Sequence, residues 1–281
     1  SSINKFNKKI NFYLGNLNNY EFIDNLIKKN NVDLIIHAAA YKHVNILEKN
    51  PISAIHNNII VTDKICDIAL KNNCNFILIS TDKAAEPTTV LGYTKKISEL
   101  LVILYRNKLK KNKFFNIVRF GNVFGSSGSA IIKFIDQINN NEPVTITHKR
   151  ASRYFMTILE ASYLVLETTG LKLKNKTFVL NMGKQLKMYD LAKKISLIKQ
   201  KIDPNYKFSH VEIGLKKNEK LREKLFDRSE KKLRINKNIF YVKKNKFDEK
   251  KFINYFNKIK FLTNSNDVKK LKKLLKQSAS F

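Results

Sequence analysis

The 281-residue chain has no Trp, four Pro, eight Gly and two Cys. Cys66 and Cys74 are too few for a disulfide framework and make no metal-ligand spacing. A reducing, cytoplasmic setting is therefore expected. With 43% hydrophobic residues, little Gly and little Pro, neither a collagen-like nor a disordered chain fits. No apolar run approaches the ~18–20 residues that a membrane span needs. Residues 1–10 are polar and basic and lack the apolar centre of a signal peptide. The chain opens on Ser rather than Met and reads as a piece of something longer, so a membrane region is expected only in a longer parent. Arg is scarce as well. Only Arg106, Arg119, Arg150, Arg153, Arg222, Arg228 and Arg234 stand among the 54 basic residues.

The net charge of +31 would suit a nucleic-acid or membrane surface. The Lys residues are spread along the chain, however, together with abundant Asn, Ile and Phe. Those are the residues that A/T-rich codons encode, and compositional bias accounts for them without a nucleic-acid partner. The positive field would still draw in an anionic substrate.

Short apolar runs alternate with longer amphipathic stretches. Strands are expected at 10–15, 32–40, 75–81, 115–125, 142–148 and 176–183. Helices are expected at 18–30, 51–73 with Pro51 in the first turn, 88–112, 129–141, 153–171 and 188–201. The Lys-rich tail from 230 carries apolar residues at helical spacing and reads as solvated amphipathic helix. Continuous apolar strands between helices predict an α/β fold: a doubly wound, parallel, Rossmann-like sheet with a smaller C-terminal substrate-binding lobe. The expected division is a cofactor domain over 1–125, with 151–196 returning to it. Residues 126–150 and 197–281 would form the lobe. Ligands of such sheets bind beyond the carboxyl ends of the strands. "HAAAYKH" (37–43), "STDKA" (80–84) and "GNVFGSSGS" (121–129) all fall there.

The segment "STDKAAEPTTVLGYTKK" (80–96) closes a buried strand with Ser80 and Thr81 and continues at once with Asp82 and Lys83. A helix then presents Leu91 and Lys95, four residues apart and so on one face. This frame resembles the extended short-chain dehydrogenases/reductases, and within them the UDP-N-acetylglucosamine 4,6-dehydratases of polysaccharide biosynthesis. That family usually has Tyr where Leu91 stands, and includes members with Met. Further segments resemble it in the same order: "DLIIHAAAYKHV" (33–44), Asn58, "VRFGNVFGSSGS" (118–129), "RYFMT" (153–157), "FVLNMG" (178–183) and "GLKKNEKLREKL" (214–225). Together they cover nearly the whole chain.

The resemblance implies NAD or NADP as cofactor, a UDP-sugar substrate and a homo-oligomer. It implies catalytic roles for Thr81, Asp82, Lys83 and Lys95. Asn16, Ala38, Ala39, Ala40, Lys42, Asn58 and Lys95 would meet the cofactor. His43, Asn122, Ser127, Arg153, Lys216 and Glu219 would meet the substrate. In the implied reaction the C4 hydroxyl is oxidised, water leaves across C5–C6, and hydride returns to C6. Asp82 would serve as acid and Lys83 as C5 base. That requires a raised Asp82 pKa and a lowered Lys83 pKa, which burial favours and their mutual attraction opposes. His37 and His43 lack companion ligands, so no metal is expected.

A Gly-rich phosphate loop is missing, and the chain reads as starting just before the third strand of such a fold. The family's "GD" after that strand appears as Gly15-Asn16. A related epimerase and a catalytically impaired remnant remain as alternatives.

Overall fold

A computed structural model describes residues 10–126, 128–243 and 248–281. Its strands, in chain order among the described residues, are β1 (Leu34–His37), β2 (Asn75–Thr81), β3 (Phe115–Phe120), β4 (Asn122–Val123), β5 (Val144–Ile146), β6 (Ser152–Arg153), β7 (Phe155–Met156), β8 (Thr177–Leu180), β9 (Leu186–Lys187), β10 (His210–Glu212), β11 (Lys231–Arg234) and β12 (Ile239–Lys243). The helices are α1 (Tyr20–Lys29), α2 (Val44–Lys49), α3 (Pro51–Ile55), α4 (Val61–Lys71), α5 (Val90–Arg106), α6 (Ala130–Asn139), α7 (Ile158–Gly170), α8 (Met188–Ile202), α9 (Glu249–Asn264) and α10 (Val268–Lys276).

The main sheet has the order β1-β2-β3-β8-β12-β11. Its first four strands are parallel, and β12 and β11 add antiparallel. Phe76, Ile77 and Leu78 of β2 are fully buried because both faces of that strand are covered. One face packs on α1, α4 and α5 through Ile27, Val61, Ile65, Val102 and Tyr105. On the other face α7, through Leu164 and Val165, meets Ile77, Val118 and Val179. The doubly wound α/β expectation holds. A separate cluster joins α6, β5 and α8 through Phe134, Ile138, Val144, Met188 and Ala192. β10 pairs with β5 beside it.

Three expectations need correction. Residues 10–15 form no strand, and Leu14 and Phe12 stand exposed. An apolar run becomes a strand only where a neighbouring strand takes its backbone bonds, and none pairs with these residues among those described. Residues 153–156 are not helix: Arg153 ends β6, and Phe155 and Met156 form β7; α7 begins at Ile158, where the Thr157 side chain accepts from Glu160 N. The tail divides differently from the expected lobe. β11 and β12 extend the main sheet, while α9 and α10 bury Phe252, Phe256, Ile259, Leu271 and Leu275 against α3 and α5. Only the outer face of these tail helices is solvated. α8 likewise packs in the cluster with α6 and β5 rather than on the main sheet.

The helix foreseen over 51–73 starts with Pro51 at its first turn and contains a π-helical turn at His56–Ile60. There the Asn58 carbonyl accepts from the hydroxyls of Thr62 (2.7 Å) and Ser98 (2.6 Å). The widened turn faces α5, and π-turns of this kind are frequent at functional sites.

Candidate active site

β2 ends at Thr81, and the chain enters a single 3₁₀ turn, Asp82–Ala84. Thr81 caps it. Its hydroxyl accepts from Lys83 N (3.4 Å) and donates to Asp82 Oδ1 (2.8 Å). α5 then starts under the Thr89 cap. Gly92 lets α5 approach the turn, since an added Cβ would fall 2.6 Å from the Lys83 carbonyl oxygen. The Gly92→Ala variant is therefore expected to displace the Asp82–Lys83 turn and cut turnover at least tenfold. Circular dichroism would check that the fold is kept, and normal turnover in the folded variant would count against this account of Gly92.

Asp82 is 0% exposed. Its Oδ1 accepts from Lys83 Nζ at 3.0 Å, and its Oδ2 is buried with no hydrogen-bond partner. Lys83 Nζ also donates to Asn122 Oδ1 (3.3 Å) and lies 3.8 Å from Glu223 Oε1. Asn122 arrives from β4, directly after β3, and Glu223 from the 214–225 segment. Burial pushes the Lys83 pKa down, but the Asp82 and Glu223 carboxylates outweigh it and hold it above the ordinary lysine value. The lowered value that a base requires is not met in the resting pair, because two carboxylates, not one, flank the ammonium.

Lys95 differs. It is buried beside no carboxylate close enough to pair, and Nζ donates to Ile79 O (2.7 Å). Burial brings its pKa down to about 8, with Glu99 opposing. Below pH 8 the group is charged in both folded and unfolded chains, and the burial cost is fully present. Between pH 8 and about 10.5 the folded chain sheds the proton first, so stability rises with pH. Relative to Lys95→Met, the wild type should gain about 3 kcal/mol over that window. Urea denaturation at pH 7.5 and 10.5 measures it, and parallel profiles for the two proteins would refute it.

Asn58 is 1% exposed and clamps the loop after β1. Its Oδ1 accepts from Tyr41 N (2.8 Å), and its Nδ2 donates to Tyr41 O (2.9 Å) and Thr94 Oγ1 (3.1 Å). Both side-chain groups are thus committed to protein, and Asn58 shapes the loop that bears Ala38, Ala39, Ala40, Lys42 and His43. Ala38, Ala39, Lys42 and His43 are exposed in that loop. His37, by contrast, is buried against Thr62 (3.2 Å), and burial, helped by Lys95, brings its pKa to about 4. His43 touches Gly128, which joins this loop to the one after β4. Ser127 lies outside the described residues.

Arg153, Lys216 and Glu219 form a second group. Arg153 Nη2 pairs with Glu219 Oε1 at 2.6 Å, and Glu219 Oε2 accepts from Lys216 N (3.2 Å). The Arg153 charge bears on Lys83, so this group adjoins the Asp82–Lys83 pair. Asn16 is not brought in. It is exposed in a turn, and its hydrogen bonds among the described residues run to Asn18 and Asn19. Among the described residues no cluster of His, Cys, Asp or Glu could hold a metal, and no helix is long and apolar enough to cross a membrane.

Glu223 and Lys220 were not foreseen as site residues. Both lie in the "GLKKNEKLREKL" segment, but nothing in its spacing aims Glu223 at a lysine 140 positions earlier. Leu91 is buried in the cluster beneath α5 and offers no polar group.

A family model described as "Polysaccharide biosynthesis protein" matches residues 1–245. The chain belongs to this family. It is 45% identical over 199 residues to the capsular polysaccharide biosynthesis protein CapD of Staphylococcus aureus, covering 70% of this chain and 32% of CapD. It is 38% identical over 162 residues to a UDP-glucose 4-epimerase of Rickettsia bellii, covering 57% of this chain and 47% of that protein. The chain thus spans about a third to a half of these relatives. Among solved structures, Pen from Bacillus thuringiensis aligns with a TM-score of 0.79 at 28% identity, over 90% of this chain and 83% of Pen. The membership of a polysaccharide biosynthesis family expected from the ordered motifs is borne out, as is the Rossmann-like α/β fold.

Proposed function

We propose that this chain carries the catalytic residues of a nucleotide-sugar 4,6-dehydratase acting on UDP-N-acetylglucosamine, in polysaccharide or glycan biosynthesis. The observation that carries the reading is the buried Asp82–Lys83 pair, bonded at 3.0 Å beyond the carboxyl end of β2. An epimerase needs only to move a hydride and a hydroxyl proton. Elimination of water needs a separate acid and base within reach of one sugar, and an adjacent Asp and Lys supply both.

The residues present fit NAD or NADP. Lys95 offers a buried ammonium with one protein acceptor, and Ala38 and Ala39 leave a strip without bulky side chains at the end of β1. Lys95 would hold the ribose hydroxyls. A bound nicotinamide cofactor would supply the hydride acceptor for C4 and the hydride donor for C6. Thr81 lies beside Asp82 as the polar group for the C4 oxygen. With a carbonyl at C4 the C5 proton becomes acidic. The resting ion pair and a neutral pair differ only by one proton moved along the Lys83–Asp82 hydrogen bond. In the neutral pair Lys83 is the base and Asp82 the acid. Lys83 takes the C5 proton, the C6–O bond breaks, and Asp82 gives its proton to the departing hydroxyl. The products are water, a 4-keto sugar with a C5–C6 double bond, and the resting ion pair. Hydride addition at C6 is matched by a proton returned to C5 from the Lys83 ammonium. The proton released from the C4 hydroxyl at oxidation makes that good through solvent. Arg153 suits the UDP diphosphate, because a guanidinium offers two parallel donors. Its present partner, Glu219, would then give way. Asn122, bonded to Lys83 Nζ, and His43, against Gly128, would be the sugar contacts.

The likeness to the Rickettsia bellii UDP-glucose 4-epimerase supports a second reading, epimerisation at C4 of a UDP-sugar. One experiment separates the two. The chain, and a version lengthened to match its relatives, are incubated with UDP-N-acetylglucosamine and NAD(P)⁺ and the products weighed by mass spectrometry. Loss of one water supports the dehydratase. C4-inverted product at unchanged mass overturns it in favour of the epimerase.

A further inference from the structure

Seven buried side-chain polar atoms among the described residues lack hydrogen-bond partners. Three of them belong to Asp82 and Glu223, the two carboxylates beside Lys83, and to Lys220, which pairs with Glu223. Buried polar atoms without partners are costly, and such clusters call for a physical account. Here the charges alternate in a line. Asp82 Oδ1 is 3.0 Å from Lys83 Nζ, which is 3.8 Å from Glu223 Oε1, and Glu223 Oε2 is 3.7 Å from Lys220 Nζ.

Glu223 is held in place independently of these charges. Ser152 N donates to Leu221 O at 2.9 Å. Gln185 Nε2 donates to Glu223 O at 2.6 Å, while Gln185 Oε1 accepts from Ser152 Oγ at 2.6 Å. Further along, Lys224 pairs with Glu86 (2.9 Å), and Thr88 Oγ1 donates to Asn218 O (2.9 Å). The 214–225 segment is thereby fastened across the turn that bears Asp82 and Lys83. Glu223 is 6% exposed, whereas the Lys83 side chain keeps 19% of its surface open. Lys83 is thus more open to a ligand than Asp82 or Glu223, the two carboxylates beside it.

We propose that Glu223 is a positioning residue of the Asp82–Lys83 site: beside Asp82, it holds the Lys83 ammonium in the resting ion pair and again once Lys83 has taken up a proton. The inference rests on the dehydratase reading for its purpose, but not for its geometry. When the proton moves from Lys83 to Asp82, the attraction between them disappears, and a flexible four-carbon chain with no second partner would swing free. Asn122 Oδ1, 3.3 Å from Nζ, still accepts from the neutral amine, and Glu223, 3.8 Å away on a fixed backbone, draws the ammonium back into place as soon as Lys83 regains a proton. Glu223 also adds to the pull that lifts the Lys83 pKa. The charged groups facing Lys83 are Asp82, Glu223 and, with opposite sign, Arg153; Lys220 tempers Glu223, and Glu219 tempers Arg153.

The test reads the Lys83 ammonium directly. The chain is trace-labelled with acetic anhydride across a pH series, and the Lys83 peptide is quantified by mass spectrometry. The midpoint of the labelling curve gives the Lys83 pKa, and its plateau gives access. Glu223→Gln should lower the midpoint by about one pH unit, a tenfold rise in labelling rate at a fixed pH below it. Glu223→Asp should restore part of that loss. Lys220→Met should move the midpoint the other way, since it frees Glu223 to act on Lys83. This last variant serves if Glu223→Gln fails to fold. A midpoint unmoved by Glu223→Gln or Lys220→Met, while Asp82→Asn moves it, would overturn the proposal. In an active, lengthened protein Glu223→Gln should lower kcat for water loss with little change in KM; a change confined to KM would speak against it. Absence of water loss in the wild type would refute the dehydratase reading alone, because the labelling midpoints do not depend on substrate.

Discussion

The Asp82→Asn variant should lose water elimination almost entirely, with kcat down by about 10²–10⁴-fold, the usual contribution of a positioned acid or base. The change keeps the shape of the side chain. Thr81 Oγ1 and Lys83 Nζ, which both donate to Oδ1, retain an acceptor in the amide oxygen. The variant loses the negative charge and, with it, a site that can carry a proton to the leaving hydroxyl. The Lys83 pKa also falls, because one of its two flanking carboxylates is gone. A more basic-side-limited reaction would therefore not be seen; instead any residual activity should have its pH dependence moved to lower pH. The check is single-turnover mass spectrometry of the nucleotide sugar, with Lys83→Ala beside it. Unimpaired water loss in Asp82→Asn would remove Asp82 from the mechanism.

The second large effect is on stability. Replacing Arg119 by Ala should cost about 3–5 kcal/mol, the range for breaking a buried ion pair from one side. Arg119 is 2% exposed in β3, directly opposite Ser80 of β2. Its Nε and Nη2 donate to Glu99 at 2.7 and 2.6 Å, and Nη1 and Nη2 donate to Glu230 at 2.7 and 2.9 Å. Ser80 Oγ donates to the same Glu99 Oε1 at 2.6 Å. Removing the guanidinium leaves two buried carboxylates on one cation's worth of empty space. Burial pushes the Glu99 pKa up, but Arg119 outweighs it and holds it below the usual carboxylate range. In the wild type this pairing stabilises above the unfolded carboxylate pKa and is lost as pH falls through the depressed folded value. In Arg119→Ala the sign reverses. Glu99 then prefers to be protonated when folded, and the variant should recover stability as pH falls from 7 towards 5. Urea denaturation at both pH values measures this. A loss below about 1 kcal/mol, or no recovery at pH 5, would mean that the network contributes little. Because Ser80 precedes Thr81 and Asp82, the same network also fixes the end of β2 that presents the site.

The parallel core was legible in the sequence because its strands are continuous apolar runs between turn residues, and two-sided burial leaves that mark. β2 was read at its full extent, Asn75–Thr81. The run at 10–15 has the same local composition yet forms no strand, since pairing is a property of neighbours rather than of the run itself. The 231–243 hairpin was missed for the opposite reason. Lys231, Lys232 and Lys243 stand exposed on it, and their charge masks the short apolar run in which Ile239 and Val242 are buried.

The sequence by itself determined the turn that bears Asp82 and Lys83, the i,i+4 placement of Leu91 and Lys95, and the glycine that lets α5 close on that turn. These are local features, set by spacing and by residue type within one strand–turn–helix unit. Only the tertiary structure decided that Lys83 lies between two carboxylates and is held charged. It also decided that Lys95, without such a partner, is brought down to about 8, and that Asn58 is spent on a loop. The reason is the range of the forces. Burial and hydrogen bonding along the chain act over a few residues and can be read from order. The balance of burial against charge depends on which groups from distant segments come within about 4 Å, and for Lys83 that group came from Glu223.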